Sequence, residues 1–156
     1  MKPHVILYTD GSCPGAGTGA WACLAVTTGG RYKALFGYSS NTTISRCELQ
    51  PVIDGLLWAR TLLGVGSRVQ LITDSEYVAK IIGGINRESA NADLWAAYRA
   101  AADGLAVSAV WRERQSLPGM RYADSLCWSV RKLLAAVADK VETEDLSKTI
   151  TAEDLF

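Results

Sequence analysis

A change in hydrophobic period near residue 48 constrains the fold of this chain most strongly. Before it, three apolar segments at 4–9, 19–27 and 31–39 are separated only by turn residues. From Leu49 onward, apolar residues recur three and four positions apart, the pattern of an amphipathic helix. This order predicts an antiparallel meander of three strands followed by a helix.

The rest of the chain alternates between strand and helix patterns. Its element order, βββαβααβα, indicates an α/β domain with a five-stranded mixed sheet, antiparallel first and parallel later. Pro51 is unfavourable inside a helix, so the first helix either begins near Glu48 or is kinked there. The remaining predicted elements are strands at 69–73 and 107–111, and helices after Ser75, after Asn91 or Asp93, and over about 122–139.

Composition predicts one compact domain with an acidic tail. The chain has 156 residues, 49% of them hydrophobic, which is enough for one core. Residues 140–156 hold five acidic and two basic side chains and lose the apolar period, so we expect a flexible tail after a domain at 1–139. The domain then has 14 basic and 11 acidic residues, a mild cationic bias of +3.

Cysteine spacing and hydropathy bear on the compartment. The four cysteines form no C-x-x-C pair and His4 is the single histidine, which argues against zinc and against a disulfide framework. The first apolar run is too short for a signal peptide, and no later run is long enough for a membrane span. We therefore expect a cytoplasmic protein without membrane contact, and a monomer.

Four carboxylates stand at the edges of apolar segments: Asp10, Glu48, Asp74 and Asp124. Asp10 is predicted at a strand end, and Asp124 in the first turn of the last helix, where it suits the helix dipole. Each alone fits a turn or a cap. Four acids meeting at one point repel one another unless cations neutralise them, and carboxylate-only ligands select Mg²⁺ or Mn²⁺. Two such ions about 4 Å apart serve in-line displacement at phosphorus, one activating water and one stabilising the leaving oxygen.

The segments around these acids resemble the motifs of type 1 ribonuclease H. They occur in the family's order and extend the resemblance over roughly residues 4–138. The matching segments are 8–13 (Tyr-Thr-Asp-Gly-Ser-Cys), 46–49 (Arg-Cys-Glu-Leu), 73–78 (Thr-Asp-Ser-Glu-Tyr-Val), 91–95 (Asn-Ala-Asp-Leu-Trp) and 122–124 (Tyr-Ala-Asp).

The resemblance implies an endonuclease that hydrolyses the RNA strand of RNA/DNA hybrids, leaving 3′-hydroxyl and 5′-phosphate ends. It implies that Asp10 bridges two metal ions, that Glu48 and Asp74 complete one site, and that Asp124 completes the other. It also implies backbone contacts from Gly11, Ser12 and Cys13 to ribose 2′-hydroxyls, the group that distinguishes RNA from DNA. The further substrate contacts that we expect are Thr43, Ser45, Arg46, Glu76, Arg114, Gln115 and Arg121.

The chain departs from the family pattern near the substrate. The loop at 113–121 lacks the family's histidine, and Gln115 stands nearest to that position, so we expect slower turnover. The basic handle that some members insert is missing from 83–90, which predicts weaker, salt-sensitive binding. Ile44-Ser45 replaces an Asn pair, and Glu76 replaces a Gln.

These departures leave two alternatives open. One is a nuclease of the same fold acting on DNA or structured RNA, and the other is a non-catalytic nucleic-acid-binding module. The terminal Leu155-Phe156 suggests docking on a replication protein, although a disordered end is the commoner case. The five tryptophans are expected mostly in the core.

Overall fold

The computed structural model describes residues 4–15 and 17–138; the acidic tail at 140–156, with Leu155 and Phe156, lies outside the described residues. Within them, the nine elements follow the predicted order. They are β1 (His4–Gly15), β2 (Thr18–Thr27), β3 (Tyr32–Ser39), α1 (Ile44–Leu63), β4 (Arg68–Thr73), α2 (Glu76–Ile82), α3 (Ala92–Ala102), β5 (Ala106–Trp111) and α4 (Pro118–Ala138).

The five strands form one mixed sheet in the order β3-β2-β1-β4-β5. Both pairings within β1–β3 are antiparallel, and β4 pairs in parallel with β1 and β5. The predicted fold class is therefore confirmed. A parallel pair needs a crossover, which α1 supplies between β3 and β4.

Helices cover the two faces of the sheet around β1. Successive side chains of a strand point to opposite faces. Val5 and Leu7 are buried in the larger core beneath α1, together with Trp95 of α3. On the other face, α4 buries Cys127, Val130 and Leu134 against alanines and aromatics of β2 and β3. The strand β1 thus lies between two helices that approach it from opposite sides.

Strand β1 is longer than predicted. The apolar run ends at Thr9, but the strand continues to Gly15 because Asp10, Gly11 and Ser12 pair with β2, with a register shift before Gly15. The prediction that Asp10 ends the strand was wrong, since the turn-forming residues after it are held by the neighbouring strand. The parallel pairing with β4, however, stops at Tyr8.

That parallel register places two acids at the same level. Tyr8 pairs with Ile72, so Asp10 and Asp74, each two residues further on, are level at the carboxyl end of β4. Helix α1 begins at Ile44, one turn before Glu48, with Thr43 as its N-cap. Pro51 therefore lies inside α1 rather than in its first turn.

Helix α4 also begins earlier than predicted. It starts at Pro118, so Asp124 lies in the second turn and the first-turn interpretation was wrong. Pro favours the first helical position because its missing N–H has no partner there. The expectation that the tryptophans lie mostly in the core holds for Trp21 and Trp95, which are buried, whereas Trp111 and Trp128 are exposed.

The four cysteines are free thiols, and Cys13 is the half-buried one. No helix of the described residues combines the length and apolar character needed to cross a bilayer.

Candidate active site

A cleft of about 320 Å³ opens at the carboxyl end of β4, between α1 and α4. All four predicted carboxylates contribute to its wall, although they come from four different elements or their ends. The lining residues are Asp10, Gly11, Ser12, Cys13, Pro14, Ile44, Glu48, Asp74, Arg114, Asp124, Cys127, Trp128 and Arg131.

Asp10 is the electrostatic centre of this cleft. Its pKa is raised from 3.8 to about 7. Burial is the largest cause, and the negative charge of Asp74, a hydrogen bond with Asp124 and the charge of Asp124 follow. Arg114 opposes this shift. Burial also raises the pKa of Asp74, which Arg114 partly offsets. The cluster therefore carries more negative charge than its surroundings neutralise.

Glu48 interacts electrostatically with Asp74, one of the other acids of the cleft. Burial and the charge of Asp74 raise the pKa of Glu48, while a hydrogen bond from Ser75 lowers it. Ser75 Oγ donates to Glu48 Oε2 at 2.7 Å and accepts from the Val78 backbone N–H at 3.2 Å. One hydroxyl thus caps α2 and orients a carboxylate of the cleft.

Asp124 is held by the loop before α4. Arg114 Nη2 donates to Asp124 Oδ1 at 2.9 Å, and Gln115 Nε2 donates to Oδ2 at 2.7 Å. Gln115 adopts a φ of 60°, a left-handed conformation that is uncommon outside glycine. Burial alone would raise the pKa of Asp124, but these donors outweigh it and lower the pKa.

Two glycines let the elements approach closely enough to form the cleft. A Cβ on Gly11 would lie 2.4 Å from the backbone carbonyl of Cys47, where β1 meets α1. Pro51 has no N–H to donate to that carbonyl, so β1 packs where the helix lacks one of its bonds. A Cβ on Gly119 would lie 2.5 Å from the ring of Tyr8, where α4 meets β1.

The predicted substrate residues near α1 are mostly engaged within the protein. Arg46 makes a bidentate ion pair with Asp93, at 2.8 and 2.7 Å. Ser45 Oγ accepts a hydrogen bond from Asn91 Nδ2 at 3.1 Å. Thr43 caps α1 by accepting from the Arg46 N–H. None of Thr43, Ser45 and Arg46 lines the cleft.

The other predicted contacts divide between the cleft and its surroundings. Gly11, Ser12, Cys13 and Arg114 line it. Glu76 does not, and pairs with Lys80 at 3.0 Å. Arg121 holds the loop instead, since its Nη1 donates to the Gln115 carbonyl at 3.0 Å. Asn91, one of the two expected helix caps, stands at the N-cap of α3 without a capping side-chain bond.

The sequence reasoning missed five residues of the cleft wall: Pro14, Ile44, Cys127, Trp128 and Arg131. Cys127, Trp128 and Arg131 follow Asp124 on α4 by three, four and seven residues, and this helical spacing was a signal that could have found them. We had expected Trp128 in the core, whereas it is 53% exposed.

The donor set of the cleft fits a hard divalent cation, because it consists of carboxylate oxygens and carries unneutralised charge. In the conformation described, no three acidic, His or Cys side chains of residues 4–15 and 17–138 are arranged to hold a metal ion. Ser75 engages Glu48, while Arg114 and Gln115 engage Asp124. A cation would have to exchange some of these contacts.

A mixed sheet with a cleft of clustered carboxylates beside β1 and β4 is the arrangement of ribonuclease H-like nucleases. The ribonuclease H family model matches residues 2–113 of this chain. A protein named ribonuclease H from Cupriavidus metallidurans is 35% identical over 138 residues, covering 79% of this chain and 92% of its own length. The chain therefore belongs to the ribonuclease H family, whose members act on nucleic acid and generally depend on divalent metals.

Other relatives match more closely over less of their length. A ribonuclease H from Pseudomonas fluorescens is 42% identical over 92 residues, or 58% of this chain and 56% of that protein. The chain thus spans little more than half the length of some curated relatives. Family and fold together support nuclease activity of the ribonuclease H class.

Solved structures show the same fold. The N-terminal ribonuclease H domain of a Mycobacterium tuberculosis protein superposes with a TM-score of 0.72 at 20% identity, covering 86% of this chain and 98% of that one. LC9-RNase H1, described as a type 1 RNase H with the type 2 active-site motif, gives a TM-score of 0.70 at 26% identity, with 83% and 72% covered.

Proposed function

We propose that residues 1–139 form a cytoplasmic endonuclease that hydrolyses the RNA strand of RNA/DNA hybrids with two divalent cations. The observation that carries this proposal is the meeting of Asp10, Glu48, Asp74 and Asp124 in one cleft of a ribonuclease H fold. Burial, and after it the charges of Asp74 and Asp124, raise the pKa of Asp10, and bound cations would offset both the burial and the repulsion.

The same four side chains would hold the metal ions. Asp10 would bridge both, Glu48 and Asp74 would complete one site, and Asp124 would complete the other. Mg²⁺ is the expected metal, and Mn²⁺ has the same preference for oxygen ligands. Such a pair of ions supplies charge stabilisation for an in-line displacement at phosphorus and lowers the pKa of a water nucleophile.

The chain's own residues prepare the site. Ser75 fixes the rotamer of Glu48, because it donates to Oε2 while its oxygen is tied to the N-terminus of α2. Arg114 supplies positive charge to Asp10, Asp74 and Asp124. Gln115 orients Asp124 but has no group that titrates near neutral pH, so it cannot carry a proton. We therefore expect slow turnover.

Recognition of RNA rests on the β1 backbone. Gly11, Ser12 and Cys13 line the cleft directly beside Asp10. Their peptide groups are the expected partners of ribose 2′-hydroxyls next to the scissile bond. Gly11 suits this position because a side chain there would clash with the backbone of Cys47 and displace β1 from α1.

A second candidate is a nuclease of this fold that acts on DNA or structured RNA. It is favoured by the state of the α1 side of the cleft, where Arg46 is paired with Asp93 and Ser45 with Asn91. Glu76 does not line the cleft, and its carboxylate is paired with Lys80. Fewer hybrid-specific contacts would then remain.

The test uses end-labelled RNA/DNA hybrid, duplex DNA and duplex RNA, each incubated with the protein in Mg²⁺, Mn²⁺ or EDTA. We expect cleavage of the RNA strand of the hybrid, leaving 5′-phosphate ends, and none in EDTA. Asp10→Asn should lower the rate about 1000-fold, because one bridging charge is lost. Asp103→Asn, an exposed acid elsewhere, is the matched control.

Hybrid cleavage that persists in EDTA or in Asp10→Asn contradicts the metal mechanism. Equal cleavage of duplex DNA supports the second candidate. If no nucleic acid is cut with any cation, the non-catalytic alternative replaces both.

A further inference from the structure

The outer side of α4 carries an exposed aromatic ring beside two cations. Trp128 is 53% exposed although it lines the catalytic cleft. Lys132, one helical turn further on, places its Nζ 4.0 Å from the centroid of the Trp128 ring. Arg131 reaches across to β1, where its Nη1 donates to Ser12 Oγ at 2.9 Å. We call Trp128, Arg131 and Lys132 the α4 patch.

The α4 patch is continuous with the carboxylate cleft. Asp124 and Arg131 are seven residues apart on one helix, a rise of about 10 Å. A second depression, of about 370 Å³, shares Pro14 and Arg131 with the cleft and extends to Leu134. Arg131 therefore lies at the junction of the cleft and the second depression. A nucleic-acid strand bound across the four carboxylates can extend along α4 past Arg131.

The cations of the α4 patch differ from those nearer the acids in having no carboxylate partner within residues 4–15 and 17–138. Arg114 is paired with Asp124, and Arg46 with Asp93. Neither Arg131 nor Lys132 forms an ion pair with any acid of residues 4–15 and 17–138. Positive groups without an internal counter-charge are those that phosphates can neutralise with release of counterions.

The chemistry of the α4 patch matches a polynucleotide backbone. Aromatic faces receive sugars or bases, and flanking cations receive phosphates. An axial advance of 3.4 Å per nucleotide allows about three nucleotides over the 10 Å between Asp124 and Arg131. The chain lacks a basic handle at 83–90, so another source of phosphate contacts is needed.

We propose that the α4 patch binds the cleaved strand beside the scissile bond, with Trp128 against a sugar ring and Arg131 and Lys132 on flanking phosphates. This inference rests on the proposed function and adds a substrate surface to it. The residues bind and do not react, so their removal weakens binding and leaves the chemical step unchanged.

The first test measures binding of a fluorescein-labelled RNA/DNA hybrid to the full chain in EDTA, by anisotropy at several KCl concentrations. Arg131→Gln and Lys132→Gln should each lower the slope of log affinity against log salt by about 1. Arg131→Lys should restore that slope, because it keeps the charge. Trp128→Ala should weaken binding about tenfold with the slope unchanged.

The matched controls lie at the other end of the sheet. In the strand register, Arg68 of β4 is level with His4 of β1, and Tyr32 of β3 is level with Val26 of β2. Arg68 and Tyr32 therefore both lie far from Asp10. Arg68→Gln removes an exposed cation, and Tyr32→Ala removes an aromatic ring that is 73% exposed. Both should bind within twofold of the unsubstituted chain. Circular dichroism melting verifies that every variant is folded.

The second test separates binding from catalysis. In Mg²⁺, Arg131→Gln, Lys132→Gln and Trp128→Ala should raise KM for the hybrid and keep kcat within about twofold. An unchanged salt slope in Arg131→Gln and Lys132→Gln, binding by the α4 variants equal to that of the two controls, or a fall in kcat at constant KM overturns the proposal. If the chain binds hybrid but cuts nothing, the proposed function fails while the binding test still decides this inference; if it binds no hybrid, both fail.

Discussion

The α1 side and the α4 side of the protein around the cleft carry similar residue types but present different surfaces to a ligand. On the α1 side, Arg46 is paired with Asp93, and Ser45 accepts from Asn91. On the α4 side, the cations of the α4 patch have no described carboxylate partner and the ring of Trp128 is open. The difference teaches that the number of basic residues near a site matters less than whether the fold has already paired them.

The walls also differ in how firmly they are joined to β1. Gly11 packs on the backbone of Cys47, which cannot rotate away. Gly119 packs on the ring of Tyr8, a side chain that can turn about its own bonds. The α1 wall is therefore the stiffer of the two, and the α4 wall can adjust to a strand.

The largest expected effect tests this difference in stiffness. Gly11→Ala should lower the free energy of unfolding by about 3 kcal/mol, because the new Cβ meets backbone atoms. Gly119→Ala should lower it by about 1 kcal/mol, since Tyr8 can move and Ala favours the helix. Urea denaturation measures both.

Gly29→Ala is the control for those two substitutions, since its Cβ would meet only Thr27 Oγ1, at 3.8 Å. Equal losses at Gly11 and Gly119 would contradict the difference between the walls.

The next effect concerns the acids between the walls. The folded-state pKa of Asp10 is raised to about 7 by burial and by Asp74 and Asp124. The folded protein therefore keeps a proton that the unfolded chain releases, and stability is lost as the pH rises from about 4 to about 7. Without metal, Asp10→Asn should be more stable than the unsubstituted chain by about 2 kcal/mol at pH 8 and equally stable below pH 4.

Urea denaturation in EDTA across this pH range measures the difference. Saturating Mg²⁺ should shrink it at pH 8, because cations bound by the acids stabilise the unsubstituted chain. An Asp10→Asn variant that is less stable at pH 8 without metal would show that Asp10 is not repelled by its neighbours.

The smallest expected effect comes from removing the ion-pair partner of Arg46, so that the α1 side also presents an unpaired cation. Arg46 holds the pKa of Asp93 down to about 2, and Asp93→Asn removes that carboxylate and so takes away the ion-pair partner of Arg46. Affinity for hybrid should rise about threefold, with the salt slope steeper by about 1, as expected for one new phosphate contact. Anisotropy in EDTA measures both quantities.

Glu88→Gln breaks the Arg99–Glu88 pair, whose residues do not line the cleft, and serves as the control. No gain in affinity for Asp93→Asn over this control would mean that Arg46 does not face the substrate even when it is released.

Much of the fold followed from local pattern. The change of period at residue 48, the turn residues between strands and the stripes of apolar residues were sufficient to predict the order of all nine elements and the mixed sheet. The ends of elements were less predictable. Strand β1 runs on through Asp10 and Gly11 because β2 pairs with them, and α4 begins at Pro118 rather than near Tyr122.

The residues of the candidate site were likewise predicted only in part. The four carboxylates were predicted from their motifs, and the structure brings them to one cleft. Trp128 and Arg131 were missed because the matching segments around the acids end at Asp124, and the helical spacing after Asp124 was not used. Thr43, Ser45 and Arg46 were predicted from the family pattern, and the structure shows them turned to protein partners.

The sequence by itself determined which residues could carry the chemistry and which segments would be strands or helices, because periodicity and residue type act over a few neighbouring positions. Only the tertiary structure decided which charges are paired. Arg46 meets Asp93 across 47 positions, and Arg131 meets Ser12 across 119. Contacts of that separation depend on how strands register and how helices cross the sheet. These long-range contacts pair Arg46 with Asp93 on the α1 side, whereas on the α4 side Arg131 and Lys132 form no ion pair with an acid of residues 4–15 and 17–138.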